Sequence, residues 1–211
     1  MFRVSVGLVG AVVAVLIMTA LGGRRSEATE VPEEIAEESY DIEMVYHGIR
    51  SLQPWYFWSK KFQTRLQRER QFFKLSEYIF DASTKNNIDP RIAVVIGFRE
   101  SSLLPRVGLH GEGSRGEKGY FQVMPESLAT RTCGGACDLH DPACNAYVAM
   151  CFLSHCRDLC GSSPWQYVGG YGRSRCPDSV NEARGWFEVR RARKLLCSAY
   201  GRDVCQTVWP S

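Results

Sequence analysis

The first 132 residues contain no cysteine, residues 4–23 contain no charge, and residues 26–43 contain no lysine or arginine. Each gap excludes something. The run from Val4 to Gly23, dominated by Val, Leu, Ile and Ala, has no polar face, and a buried core helix is not expected at the extreme terminus. It is about long enough to cross a hydrocarbon core, with Arg3 before it and Arg24-Arg25 after it. It reads as a cleaved signal, with Ala20-Leu-Gly22 as a small-x-small cleavage site, or as an uncleaved membrane anchor. Either reading places the rest of the chain outside the cytoplasm, in a cell envelope or secreted. Residues 26–43 hold eight acids and Pro32 without an apolar stripe, which suits a tether rather than a core element. Alternating strand patterns are scarce, with one short candidate near Tyr120–Val123, and no internal repeat supports a solenoid.

All nine cysteines lie from Cys133 onward: Cys133, Cys137, Cys144, Cys151, Cys156, Cys160, Cys176, Cys197 and Cys205. Thiols this dense in an exported domain read first as disulfides, and the odd count leaves at least one without an internal partner. The rival reading is zinc, held by Cys133, Cys137, His140 and Cys144 with His155, Cys156 and Cys160 nearby. No tight Cys-x-x-Cys knuckle supports it. The net charge is +3, and setting aside the eight acids of residues 26–43 leaves the remainder at +11. A basic body suits an anionic polymer such as cell-wall glycan, nucleic acid or anionic lipid. The Lys and Arg residues are scattered and form no recognisable nucleic-acid motif, so no nucleic-acid partner is expected.

The organisation that follows is a signal or anchor over residues 1–23, an acidic tether over 24–50 and a body over 51–211. The body is expected to be mainly α-helical, cysteine-rich and with little or no sheet. Trp55, Phe57, Trp58, Phe62, Leu66, Phe72, Phe73, Leu75, Tyr78, Ile79 and Ala82 recur at helical spacing. Asn86-Asn87 breaks that helix, and Asp89-Pro90 starts the next as an N-cap followed by proline. It runs from Arg91 to about Glu100. A loop with Gly108, Gly111, Gly113 and Gly116 follows, then a short helix from Pro125-Glu126. Further helices are expected from Asp141-Pro142, over Trp165–Tyr171, and from Asn181 to Ala199.

Glu100 ends the apolar run Ile92-Ala-Val-Val-Ile-Gly-Phe98 and precedes Ser101-Ser102. An apolar setting and the negative end of a helix dipole both disfavour the charged form of a carboxyl group. That is the environment of an acid that must protonate a leaving oxygen. Arg99 is expected on a different face of the helix. About twenty residues later comes Gly119-Tyr-Phe-Gln-Val-Met-Pro125. Its glycine lets backbone approach a ligand, the Gln122 amide can donate to and accept from an N-acetyl group, and Tyr120 and Met124 offer surfaces to a sugar.

Over about Leu75 to Arg173 these motifs resemble the SLT-type lytic transglycosylases, which share a helical fold with goose-type lysozymes. Ile88 to Ser102 resembles the family's helix ending in the catalytic Glu-Ser. Gly119-Tyr-Phe-Gln122 with Met124-Pro125 resembles its second motif, and Asp141-Pro-Ala-Cys-Asn145 the segment after that. Val168-Gly-Gly-Tyr171-Gly-Arg173 sits where the family usually has Ala-Tyr-Asn, with Gly172 in place of the Asn. The resemblance implies a lysozyme-like body acting on peptidoglycan, with Glu100 catalytic. It implies substrate contacts from Ser101, Gly119, Tyr120, Gln122, Met124 and Tyr171, with Tyr171 orienting the acid, and it calls for no cofactor or metal. Glu100 would cut the bond between N-acetylmuramic acid and N-acetylglucosamine and close a 1,6-anhydro ring, a route without a second carboxylate. Inverting hydrolysis would want one, and Glu112, Glu117, Glu126 and Asp138 are the candidates. A catalytically weak wall-binding module is the alternative outside the enzymes, prompted by Gly172.

Overall fold

The computed structural model describes residues 33–53, 62–104, 112–134, 137–173 and 175–210. The apolar segment 4–23, the first part of the acidic stretch, Trp55–Trp58 and Gly108 lie outside them. The chain divides at Ala36, and the description below concerns Glu37–Ser211. No described helix is long and apolar enough to cross a membrane.

Among the described residues the body is mainly helical, as the periodicity predicts. The helices are α1 (Glu33–Leu52), α2 (Phe62–Lys85), α3 (Pro90–Ser101), α4 (Pro142–Cys160), α5 (Pro164–Arg173), α6 (Val180–Gly185), α7 (Phe187–Tyr200) and α8 (Arg202–Val208). A π-helical turn covers Thr130–Gly134. The strand candidate near Tyr120 reduces to isolated bridges, Lys118 with Glu112 and with Val123.

α3 is the centre of the core. Asp89 caps it by accepting from the Arg91 N–H at 2.9 Å, Pro90 fits the first turn, and Ile92 to Gly97 are all buried. α4 starts the same way: Asp141 accepts from the Cys144 N–H at 2.8 Å, and Pro142 follows. α4 packs on α2 and α5, and α3 packs on α2 and α7. α2 contributes Phe72, Leu75, Ile79 and Ala82 at helical spacing.

Three expectations need correction. The stretch expected as a tether to residue 50 ends in core residues: Val45 and Ile49 on α1 are fully buried. Their four-residue spacing puts both on one face, a signal masked by the acids before them. The helix expected from Asn181 to Ala199 breaks at Trp186, whose extended backbone separates α6 from α7. The break lets the indole turn inward, to 6% exposure, against Gly169, where a Cβ would come within 2.8 Å of the ring. The short helix expected at Pro125 starts later, because the Ser127 and Thr130 hydroxyls donate to the Met124 carbonyl at 2.8 and 3.1 Å and hold a turn there.

The cysteines pair as Cys133–Cys151, Cys137–Cys144, Cys160–Cys176 and Cys197–Cys205. Three sulfurs of the zinc set are therefore committed to bridges, and no described group of three or more His, Cys, Asp or Glu residues is placed to hold a metal. Cys156 is the unpaired one, buried, with its thiol pushed up to about 12 by desolvation. A thiol held protonated is a poor nucleophile. The native protein is therefore expected to resist alkylation and to yield one modified cysteine per chain only after unfolding without reductant. Strong reductant should lower the melting temperature, since a bridge of this kind is typically worth roughly 2–4 kcal/mol. Rapid labelling of the native chain, or a melting temperature indifferent to reductant, would contradict this pairing.

Candidate functional site

Glu100 lies in the last turn of α3, with its side chain 27% exposed. Beyond it the chain turns sharply: Ser102 and Leu103 have φ of 54° and 50°, and the Ser102 N–H returns to the Phe98 carbonyl at 2.8 Å. The Ser101 hydroxyl donates to the Gly97 carbonyl at 3.2 Å and accepts from the Leu103 N–H at 3.0 Å. The buried Gln53 amide, at the end of α1, donates to the Ser102 carbonyl. The end of α3 is thus tied from its own helix and from α1, and Glu100 projects from a fixed position.

Arg99 does not take a different face. Its guanidinium reaches back to Glu100, with Nε 3.0 Å from Oε1 and a second nitrogen on the same oxygen. The Arg99 side chain is only 7% exposed, so its long stem is packed away and the charged end has few other places to go. The two-pronged contact fixes one carboxylate oxygen and leaves the other for a ligand.

Opposite Glu100 stands the turn 118–123. Lys118 and Val123 exchange both backbone hydrogen bonds at 2.9 Å. Gly119 has φ of 76°, and a Cβ there would collide with the carboxamide of Asn145. That carboxamide, fully buried on α4, accepts from the Phe121 N–H at 2.8 Å and donates to the Lys118 carbonyl at 2.9 Å. One side chain therefore partners the Phe121 N–H and shares the Lys118 carbonyl with the Val123 N–H. Gln122 is at φ 48°, uncommon for a residue with a side chain, and its amide donates to the Gly119 carbonyl at 2.8 Å.

Glu100, Gln122, Met124 and Tyr171 line one cleft of about 560 Å³, together with Glu117, Phe121, Phe152, Gly172 and Arg173. Of the residues singled out in the sequence, Ser101, Gly119 and Tyr120 are buried and do not line it. Tyr171, on α5, packs its ring 5.7 Å from Phe152 and donates to the Phe121 carbonyl at 3.3 Å. Burial first, and then the Glu100 charge, push its phenol well above the usual range, so it remains a neutral donor. Gly172 leaves room: a Cβ would sit 3.5 Å from Glu188 and 3.8 Å from Arg99, ordinary contact distances.

Of the possible second acids, only Glu117 lines the cleft. Its carboxylate accepts from the Arg115 N–H and Nε, both at 2.9 Å, and the backbone bond in particular holds it below the usual carboxylate range. Glu112 faces Lys118 at 3.5 Å, and Glu126 and Asp138 are exposed away from the cleft. Sequence reasoning missed Asn145 and Gln53 as parts of this site. An Asn among Ala146, Val148 and Ala149 was the available signal for the first, since a buried amide requires partners. Gln53 offered none.

The family model described as Transglycosylase SLT domain matches residues 77–183, which span α3, the 118–123 turn, α4 and α5. The match covers half of the chain, and the chain belongs to this family. No curated protein and no solved structure matches it. Membership brings glycosidic-bond cleavage and a peptidoglycan substrate at the level of the family.

Asn145→Ala would leave the buried Phe121 N–H unpaired, at about 1–3 kcal/mol, while the Lys118 carbonyl would keep its bond from the Val123 N–H. A loss of roughly 1–3 kcal/mol in unfolding free energy, measured by denaturant titration, is expected. Wild-type stability in this variant would remove the clamp.

Proposed function

We propose that the protein is a peptidoglycan lytic transglycosylase that cuts the β-1,4 bond between N-acetylmuramic acid and N-acetylglucosamine with formation of a 1,6-anhydro ring. The observation that carries the reading is the placement of Glu100 at the end of a buried helix, in one cleft with Gln122 and Tyr171. Glu100 donates its proton to the glycosidic oxygen as that bond breaks. The substrate's own N-acetyl group stabilises the developing cation. Glu100, now a carboxylate, removes the proton of the muramyl C6 hydroxyl, whose oxygen closes on C1. Proton count and bond count balance without water. Arg99 holds one carboxylate oxygen through both steps, so the proton comes and goes at the other. Gln122 and Met124 contact the sugar from the opposite wall. Tyr171 supports the acid through its position, as a neutral donor anchored on Phe121. Ser101, Gly119 and Tyr120 act from behind, by shaping the end of α3 and the turn.

The setting that fits is the cell envelope, with residues 1–23 serving as signal or anchor, the acidic stretch after them as a connection, and the body facing the wall.

Glu117 favours a second reading, a lysozyme-like hydrolase in which it would activate water. It lines the cleft and is held ionised, but both of its oxygens already accept from Arg115. Mass analysis of digested peptidoglycan separates the readings: anhydro ends support the transglycosylase, and reducing ends the hydrolase. Binding without released fragments would instead support a catalytically weak wall-binding module, for which Gly172 is the motive.

Glu100→Gln should cost at least the roughly 10²–10⁴-fold that general acid catalysis supplies, with the fold and wall binding retained. Release of fragments at the wild-type rate by this variant would sink the assignment. Tyr171→Phe removes the hydroxyl that donates to the Phe121 carbonyl, a bond between neutral groups worth about 0.5–1.5 kcal/mol, and should lower turnover about two- to tenfold with a small change in melting temperature. Full activity in the Phe variant would reduce Tyr171 to a packing residue.

A further inference from the structure

A second cavity, of about 430 Å³, opens among α5, α6, α7 and the C-terminal segment. It shares no lining residue with the Glu100 cleft, and all but Trp165 of its lining lies beyond the family-matched residues 77–183. Trp165 and Trp209 form apolar walls, the latter only 2% exposed. Arg184, Arg190, Arg193 and Lys194 supply positive charge, and among the described residues no acidic side chain lines the cavity.

That imbalance has a cost. Arg190 and Lys194 stand at i and i+4 on α7, which brings two like charges onto one helix face. Such pairs destabilise a helix unless a counter-charge sits among them. Neighbouring arginines have found one: Arg173 pairs with Glu188 at 3.5 Å, and Arg175 pairs with Glu182. Arg184, Arg190 and Lys194 are exposed and form no ion pair among the described residues. Charges left together around a cavity of this size, within the roughly 300–1,000 Å³ typical of small-ligand sites, fit an anion with a flat or apolar body. Guanidinium forks match carboxylates in plane, and indole faces accept the apolar part.

We propose that this pocket binds the carboxylate-bearing peptide stem of the wall polymer. The choice of ligand rests on the reading under Proposed function, which makes that polymer the substrate. The pocket and the cleft draw on opposite ends of α5, Trp165 on one and Tyr171 to Arg173 on the other. A stem held there raises the local concentration of glycan at the cleft without taking part in the reaction.

The test uses the full chain carrying Glu100→Gln, so that ligand is not consumed, and a soluble disaccharide–peptide fragment as the probe. Addition of Arg190→Ala and Lys194→Ala should weaken binding at least about tenfold in calorimetry, as the loss of two charge-assisted contacts predicts. Both residues are exposed, and an unchanged melting temperature establishes that the fold is intact. The same fragment with its carboxylates amidated should bind the parent as weakly as the free acid binds the double variant. Unchanged affinity in the double variant overturns the pocket. Equal affinity for the amidated fragment overturns carboxylate recognition, as does displacement of the fragment by inorganic phosphate without loss on amidation. Preferential binding of a single-stranded oligonucleotide, lost in the same variant, overturns the choice of ligand. Arg190→Ala with Lys194→Ala in the otherwise wild-type chain should cleave a stem-free glycan at the wild-type rate. Failure of the wild type to cleave any glycan would defeat the catalytic reading alone, since the binding result is read independently.

Discussion

The carboxamide of Asn145 joins the two halves of the site. It is fully buried on α4, and it gives one hydrogen bond to, and takes one from, the turn that forms the wall opposite Glu100. A turn buried this deeply carries backbone groups that water cannot reach, and each must find a partner in the protein. Asn145 supplies two partners from one side chain, and it can reach only because position 119 has no Cβ. The same turn carries the left-handed φ of Gly119, the positive φ of Gln122 and the paired bonds of Lys118 and Val123. α3 and α4 both pack on α2, and residues from each line the cleft or hold its walls.

Charge in the cleft is arranged by contact rather than by composition. Glu100 and Glu117 both line the cleft, the first expected from the sequence as the acid and the second only as one of several possible second carboxylates. The structure separates them. Glu100 has one oxygen held by Arg99 and one free, whereas both oxygens of Glu117 are engaged by Arg115. A group that must accept and release a proton needs an unengaged atom facing the ligand. Glu117 is better described as the fastener of its own loop.

Signals confined to neighbouring residues were legible in the sequence. Asp89-Pro90 and Asp141-Pro142 mark helix starts because capping acts over two or three residues, and both helices begin there. The core face of α2 was legible from its period. Contacts across the fold were not. Nothing near Gln53 says that its amide meets Ser102, because the two are 49 positions apart. The direction of Arg99 depends on how tightly its stem is packed, which spacing on a helix does not reveal. Trp186 falls inside the helix expected from Asn181 to Ala199, yet it packs against Gly169 where that helix breaks. The acids of residues 26–43 likewise drew attention from Val45 and Ile49, which belong to the core.

The four bridges close over 7 to 18 residues and all lie between Cys133 and Cys205. Cys133–Cys151 fastens the π-helical turn to α4, and Cys160–Cys176 fastens the end of α4 to the chain after α5. None reaches α1, α2 or α3. The cleft therefore has one wall with covalent struts and one, carrying Glu100, that stands on packing and a few hydrogen bonds. The two walls answer to different insults. Reduction removes struts from one wall and leaves the contacts that hold Glu100 in place. A chain of this design keeps a cleft of constant shape only where thiols stay oxidised, so the redox state of its surroundings becomes a condition on its geometry.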